Sequence, residues 1–392
     1  VVHLVIQQAP DQLQENASMK NRKTQIAAYA IMSLLTAATF AQTISTIGAL
    51  GSTQQSHAYA INHDGSAVAG FSTYPGGYYF AVRWTSAGLV NLGVVPGGLR
   101  SIAFGMSGDG SVVAGTSVVS GGAHVFRWSS SGMQDLGTLA GQAVSYGYAV
   151  SADGSTIVGG TTSAGYGHAL RWTDAGGLSD LGTLPLDASA ALLAVDHDGS
   201  HAVGFSGFGS QHQAIVWSAS TEMLPIGYLP GGAASEAQAI SADGQVVAGW
   251  SNSSSGQHAF RWRASVGMQD LGVLPGMADS VANAISPDGN IILGSSSGVA
   301  FLWTSARGMI DLAQFLTAQG VNLSGWTLTS CYAIGSDRTA LAGDGRLNGV
   351  QRGWVVRGLA PISDFCPSDF NHDGTIDFFD YLDFVAAFAS GC

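Results

Sequence analysis

Downstream of about residue 56, small and β-branched residues alternate with polar ones in short runs, and Gly, Pro, Ser and Asn close each run. Alternation with a period of two marks half-buried β-strands, because successive side chains point to opposite faces. One stretch shows the pattern well. Ala237 to Ser241 predicts a first strand, and Asp243-Gly244 a tight turn in which the glycine tolerates positive φ. Gln245 to Trp250 predicts a second strand, His258 to Trp262 a third and Asp270 to Leu274 a fourth. No helical period of 3.6 runs through these units.

The same grammar recurs along the chain. Asp64, Asp109, Asp153, Asp198, Asp243, Asp288 and Asp337 are spaced by 45, 44, 45, 45, 45 and 49 residues, and the first six precede a glycine. Four strands in about 45 residues is the size of one propeller blade. Third strands end near Trp84, Trp128, Trp172, Trp217, Trp262, Trp303 and Val356, which makes seven. Fourth strands occur at Asn91, Asp135, Asp180, Pro225, Asp270 and Asp311, and Thr46 to Leu50 upstream supplies the missing one. The expected fold is all-β: a seven-bladed β-propeller over residues 42–360, closed by an N-terminal strand that completes the last blade. An open β-solenoid of the same repeat is the alternative.

The segment before the repeats reads as an export signal. Met19 opens a basic run through Lys23, an apolar stretch from Ile26 to Phe40 follows, and Ala41 ends a small-residue cleavage pattern. Residues 19–41 are therefore expected to be a signal peptide, and residues 1–18 an upstream over-translation. The apolar run is short of the roughly 20 residues of a stable membrane span, so a retained anchor is the lesser alternative. The mature chain is then secreted, extracellular or at the cell surface.

Composition narrows the function. Charged residues are only 10% of the chain and glycines number 55 of 392, while 46% of residues are hydrophobic, which excludes a disordered or collagen-like chain. Beyond residue 41 there is no lysine, and 11 arginines face 24 Asp and Glu, a formal charge of -13. Such a chain lacks the basic run that nucleic-acid binding requires, and lysine-based catalysis is impossible.

The motif His-Ala-Phe-Arg-Trp at 258–262, with variants at 124–128 and 168–172, resembles the bacterial HAF family of extracellular repeats over roughly residues 44–357. That resemblance implies export and repetition and brings no common enzymatic activity. His124, His168, His212 and His258 read as equivalent positions a blade apart, too far apart to converge on one metal, so inter-blade packing with a satisfied imidazole is expected. The Asp-Gly aspartates read as turn residues.

Side chains outside the repeat pattern are the binding candidates. Arg100, Asp187, Glu236 and Asp279 fall in connections from a fourth to a first strand, and Tyr74, Tyr78, Tyr166 and Phe208 in connections from a second to a third. Alternating strand direction puts both sets of loops at one end, and aromatics among small polar residues suit sugar rings or an extended partner. A solvated rim without a ligand is the bland alternative. If the chain instead acts on a polysaccharide as a hydrolase or lyase, Glu236 and Asp279 are the acids to test. No nucleophile triad or phosphate loop stands out, so a non-catalytic binding propeller is expected.

The last thirty residues break the repeat. Asp369, Asn371, Asp373, Asp377 and Asp380 fall at calcium-loop positions 1, 3, 5, 9 and 12, Gly374 at the turn, and Thr375 would ligate through its carbonyl. Phe378, Leu382, Val385 and Ala389 then predict an amphipathic helix. With Asp380 at position 12, Ile376 at 8 and flanking cysteines, residues 364–392 resemble a short dockerin module, although such modules usually carry two loops. The resemblance implies Ca²⁺ on those six residues and a cohesin-like or surface-anchoring partner. Exported cysteines pair, and Cys366 and Cys392 bracket the loop and helix, so residues 361–392 form the expected calcium-binding module with one disulfide. Cys331 aligns with small first-strand residues such as Ala58 and reads as a buried free thiol. An autotransporter passenger is a further reading, although the chain has no membrane barrel. The reading that results is a secreted propeller for protein or carbohydrate binding, anchored through its tail.

Overall fold

The structure is a computed structural model that describes residues 42–51, 55–162, 167–209 and 211–362, with Phe208 described by its backbone alone. Residues 1–41, Tyr166, and the tail with Cys366, Asp369, Asn371, Asp373, Thr375, Asp377, Asp380 and Cys392 lie outside the described residues. The chain folds into seven four-stranded antiparallel sheets, six of which take their strands in chain order. The seventh takes its outermost strand, Thr43–Thr46, from the start of the described chain and pairs it with Val350–Arg357. Innermost strands touch their neighbours all the way round, first to last, which closes a seven-bladed β-propeller.

The closing strand lies earlier than expected. It ends at Thr46 because Ile47 is buried and Gly48 takes a positive φ of 76°. The fourth strand of blade five likewise runs Gly267–Asp270, ending where the sequence had placed its start. Asp270 accepts from the Gly272 N–H at 2.7 Å, and Gly272 at φ 72° turns the chain away. In blade five Asp-Leu-Gly is thus the stop of the strand, while in blades two and three it forms the strand's last three residues. In blade six Ala313 replaces that glycine, and Asp311 caps a helix, Leu312–Ala318, that the strand pattern had hidden.

Every innermost strand carries a β-bulge. In blade five Ala237 pairs with Gly249 and Ala239 with Ala248, leaving Gln238 unpaired between them. A glycine after two apolar residues in each second strand explains it. A β-carbon on Gly70, Gly115, Gly159, Gly204, Gly249, Gly294 or Gly343 would overlap the carbonyl oxygen of the neighbouring inner-strand residue, from His57 in blade one to Ser330 in blade seven. Only glycine lets the inner strand approach and buckle there.

Two kinds of side-chain contact recur between neighbouring blades, each at four interfaces. Ser280 donates to the Gly272 carbonyl at 2.6 Å and accepts from the Ala259 N–H at 2.8 Å, and Ser101, Ser145 and Ser235 do the same at their interfaces. The arginine of the repeat motif reaches across to the tryptophan of the following blade: Arg127 to Trp172, Arg171 to Trp217, Arg261 to Trp303 and, over the ring closure, Arg357 to Trp84 at 4.8 Å. At the Asp-Gly end, backbone bonds run blade to blade from the His63 N–H to the Gly108 carbonyl and on to Pro287. Proline has no N–H, so the relay stops at blade six.

Two substitutions test this account. Gly249→Ala is expected to cost about 3 kcal/mol in urea denaturation, since the extra carbon forces the bulge open; a neutral result would show that the bulge does not need the glycine. Leu186 sits at φ 74° and is fully exposed, where equivalent turns use Gly97, Gly141, Gly231 and Gly276. Leu186→Gly should therefore stabilise by about 1 kcal/mol, and a loss would reveal a contact made by the leucine.

Candidate functional site

The bulges decide what faces the central channel. The residues that bulge out beside the second-strand glycines are Tyr59, Phe104, Tyr148, Leu193, Gln238, Asn283 and Tyr332, and all seven line a cavity of about 560 Å³. That volume suits a small ligand. Each is half-buried and stands between small buried neighbours such as Ala58 and Ala60 or Ala282 and Ala284.

Chemistry divides the ring into two arcs. From blade seven through blade three the wall is aromatic. Tyr332 meets Tyr59 edge-on at 5.2 Å, Tyr59 stacks on Phe104 at 5.5 Å, and Phe104 meets Tyr148 at 5.7 Å and 62°. Towards the loop-rich end His57 stacks on Phe71 and binds Asp344 at 2.6 Å, while Tyr146 stacks on Tyr148. Blades five and six supply the polar arc. Gln238 donates its amide to Glu236 at 3.0 Å, and Asn283 donates to Ser330 at 2.9 Å.

Burial and neighbouring charge set the protonation states. Burial raises the Glu236 carboxyl above its ordinary range, against the lowering effects of the Gln238 bond and of His212. Burial, then Tyr146 and Glu236, push the Tyr148 phenol up to about 12, and burial and Asp344 raise Tyr332. The Tyr59 phenol is likewise raised, chiefly by burial. All three phenols stay neutral donors and acceptors. Cys331 is a free thiol, fully buried, and burial pushes it up to about 12, which keeps it unreactive.

The residues singled out in sequence scatter. Glu236 is not in a loop: it belongs to the inner strand Ser235–Ile240, beside the channel ring. Tyr74 and Tyr78 are strand residues paired across a hairpin, both exposed, and Arg100 lies over the Tyr78 and Tyr79 rings at 5.8 and 5.3 Å. Phe208 ends the strand His201–Phe208. Asp187 accepts from Ser206 at 2.8 Å, and Asp279 accepts from the Ser297 N–H at 2.9 Å, so both brace loops and neither is recorded beside Glu236. The sequence reading missed the channel residues themselves. Their signal was present, as the one position of each first strand that changes type while its neighbours stay small.

The repeat histidines find a partner, but one of them is out of register. His124, His168 and His258 bind the fourth-strand carboxylates Asp135, Asp180 and Asp270 at 2.8 to 2.9 Å. His212 is not their equivalent. Ser251 pairs with His258, and its counterpart Ser206 pairs with Gln213, so His212 is one residue early and its side chain takes the opposite face. There it meets Phe205 and Trp250, with Nε2 3.7 Å from Glu236 and no hydrogen-bond partner. The Asp-Gly aspartates are turn residues as expected: Asp109 accepts from Ser107 and from the Ser111 N–H, and those bonds hold its carboxyl below the ordinary range. Among the described residues no cluster of three His, Cys, Asp or Glu is placed to hold a metal, and no helix is long and apolar enough to cross a membrane.

No family model matches the chain, and no curated protein matches it in sequence. Solved structures are similar in fold. An oligogalacturonate lyase in complex with manganese is 11% identical, with 81% of this chain and 93% of that one covered at a TM-score of 0.55. An oligogalacturonate lyase from Vibrio parahaemolyticus, also 11% identical, covers 80% and 93% at 0.56. TolB from Acinetobacter baumannii, 11% identical, covers 77% and 66% at 0.45. The expectation of a non-catalytic chain is corrected by the lyases. Enzymes occupy this fold, and a propeller can carry acid and base groups on its inner strands without any motif that interrupts the repeat.

The raised Glu236 carboxyl gives a test of the site's electrostatics. A carboxyl raised in the folded state favours folding most when protonated, so its contribution is lost as pH climbs from about 4.5 through the raised value. Glu236→Gln should therefore match the parent's stability below that range and exceed it at neutral pH, read from urea midpoints across pH. A difference that does not change with pH would show that Glu236 is not desolvated.

Proposed function

We propose that the chain is an exported binding propeller that takes a carbohydrate or protein ligand at the loop-rich end of its channel and is held to a surface or scaffold by its calcium-dependent, dockerin-like tail. The carrying observation is the channel ring, where four aromatic side chains face fixed carboxamides across about 560 Å³. Aromatic faces stack on the apolar faces of sugar rings, and carboxamides and phenols bond hydroxyls. Carbohydrate is the better fit of the two ligands. In the tail Asp369, Asn371, Asp373, Thr375, Asp377 and Asp380 supply the oxygens for Ca²⁺, and a cohesin-like or surface protein is the partner.

A second reading, a polysaccharide-active enzyme, is favoured by the buried Glu236 beside His212. At 3.7 Å the pair is close enough to exchange a proton once a substrate tightens the geometry. Asp279, braced by Ser297, falls out of the acid–base role first assigned to it.

A glycan array with the full chain, followed by titration calorimetry, tests the site. Tyr148→Ala is expected to weaken the best ligand on the order of tenfold. Unchanged affinity would move the site off the channel. Envelope capture in calcium and in EDTA tests the tether: Asp373→Ala should abolish calcium-dependent capture and leave glycan affinity intact.

A further inference from the structure

We propose that the channel selects a cationic ligand, and that the glycan taken there bears free amino groups, as a glucosamine-type sugar does, in place of acetamido or uronic ones. The inference rests on the reading of the channel as a carbohydrate site and names the sugar class.

Six of the seven ring side chains can attract positive charge, and Leu193 is aliphatic. Aromatic faces carry the negative part of the ring quadrupole, and Tyr59, Phe104, Tyr148 and Tyr332 line one side of the cavity. Their rings meet at 85° and 62° as well as in a stack, so they form a cornered wall and not one flat platform. The facing arc presents acceptors. Gln238 and Asn283 each use an amide hydrogen on Glu236 and Ser330, which fixes the carboxamide and leaves its carbonyl oxygen as an acceptor beside the second N–H. Glu236, bonded to Gln238 beside the ring, adds a carboxyl at its edge.

The basic groups described near this end are His57, Arg100 and His212, the last with its Nε2 3.7 Å from Glu236. His57 is bound to Asp344 at 2.6 Å, and Arg100 lies on the Tyr78 and Tyr79 rings. A uronate would bring its carboxylate up against Glu236 and Asp344, which already hold the nearby imidazoles of His212 and His57, and an acetamido group adds no positive charge there. An ammonium meets both the carboxylate and the rings. The wider field agrees: 11 arginines against 24 acidic residues beyond residue 41 make the protein strongly negative, and a concave wall concentrates that potential. Burial of Glu236 strengthens the case, because a desolvated carboxylate gains most from a cation brought into contact.

The test compares oligomers of one length on the full chain by titration calorimetry across a pH series, because Glu236 must be ionised while the sugar amine is protonated. The probes are chitosan tetraose, chitin tetraose, tetragalacturonate and a lysine tripeptide. Chitosan tetraose is expected to bind about tenfold more tightly than chitin tetraose, with the ratio shrinking in high salt. Glu236→Gln should narrow that ratio by weakening the amine oligomer more than the acetylated one, with retained binding of the acetylated oligomer reporting a folded site. Equal binding of both, or preference for the galacturonate, overturns the cation selection and leaves a carbohydrate site standing. Binding of neither sugar overturns both, as does uptake of the lysine peptide alone. A preference that survives both Glu236→Gln and Tyr148→Ala also overturns the assignment.

Discussion

Seven glycines hold the architecture and the chemistry together. Because Gly249 and its six counterparts have no side chain, each inner strand can press its carbonyl into the second strand and expel one residue from the pairing register. What is expelled points to the axis. The repeat thus keeps a rigid, nearly invariant frame while one residue per blade varies freely, from Tyr59 to Asn283. Binding sites on repeat folds commonly arise in this way, with the frame set by the repeat and the specificity by its variable positions.

The remaining repeat letters are spent on cohesion. Arginine crosses to the next blade's tryptophan, serine bridges two backbones, and histidine clamps the fourth strand through aspartate. Where a blade departs from the pattern, a side chain is released for other work. His212 is such a case. One residue of offset removes it from the clamp and sets it against Glu236 and Trp250 at the channel. Ala313 is another, since without a glycine at that position the chain continues into a helix.

The blade number, the order of strands and the closure by an N-terminal strand were all legible in the sequence, because period-two alternation and the aspartate spacing survive drift. The channel was not. Alternation says which face of a strand a residue takes, and a bulge abolishes that rule at the one residue that matters, so Tyr148 and Gln238 looked like ordinary strand positions. Charge and aromaticity drew attention to loops instead, where Asp187 and Asp279 serve as braces. Glu236 was singled out as part of a connection from a fourth to a first strand, and its place on an inner strand needed the register. Likewise the fault in the histidine series is one residue wide, and only the pairing with Ser206 exposes it.

The seam between the two ends of the chain has a kinetic meaning. Thr43 pairs with Arg357 and Thr46 with Trp354, so the last sheet joins residues from opposite ends of the propeller, and the backbone relay that links the other blades is interrupted beside it at Pro287. Closing so long a loop costs entropy that no local contact repays in advance. Six blades can assemble as neighbours, but the channel acquires its full wall, Tyr332 included, only when the ends meet. The ring is therefore fastened last at its seam, and under strain it opens there first.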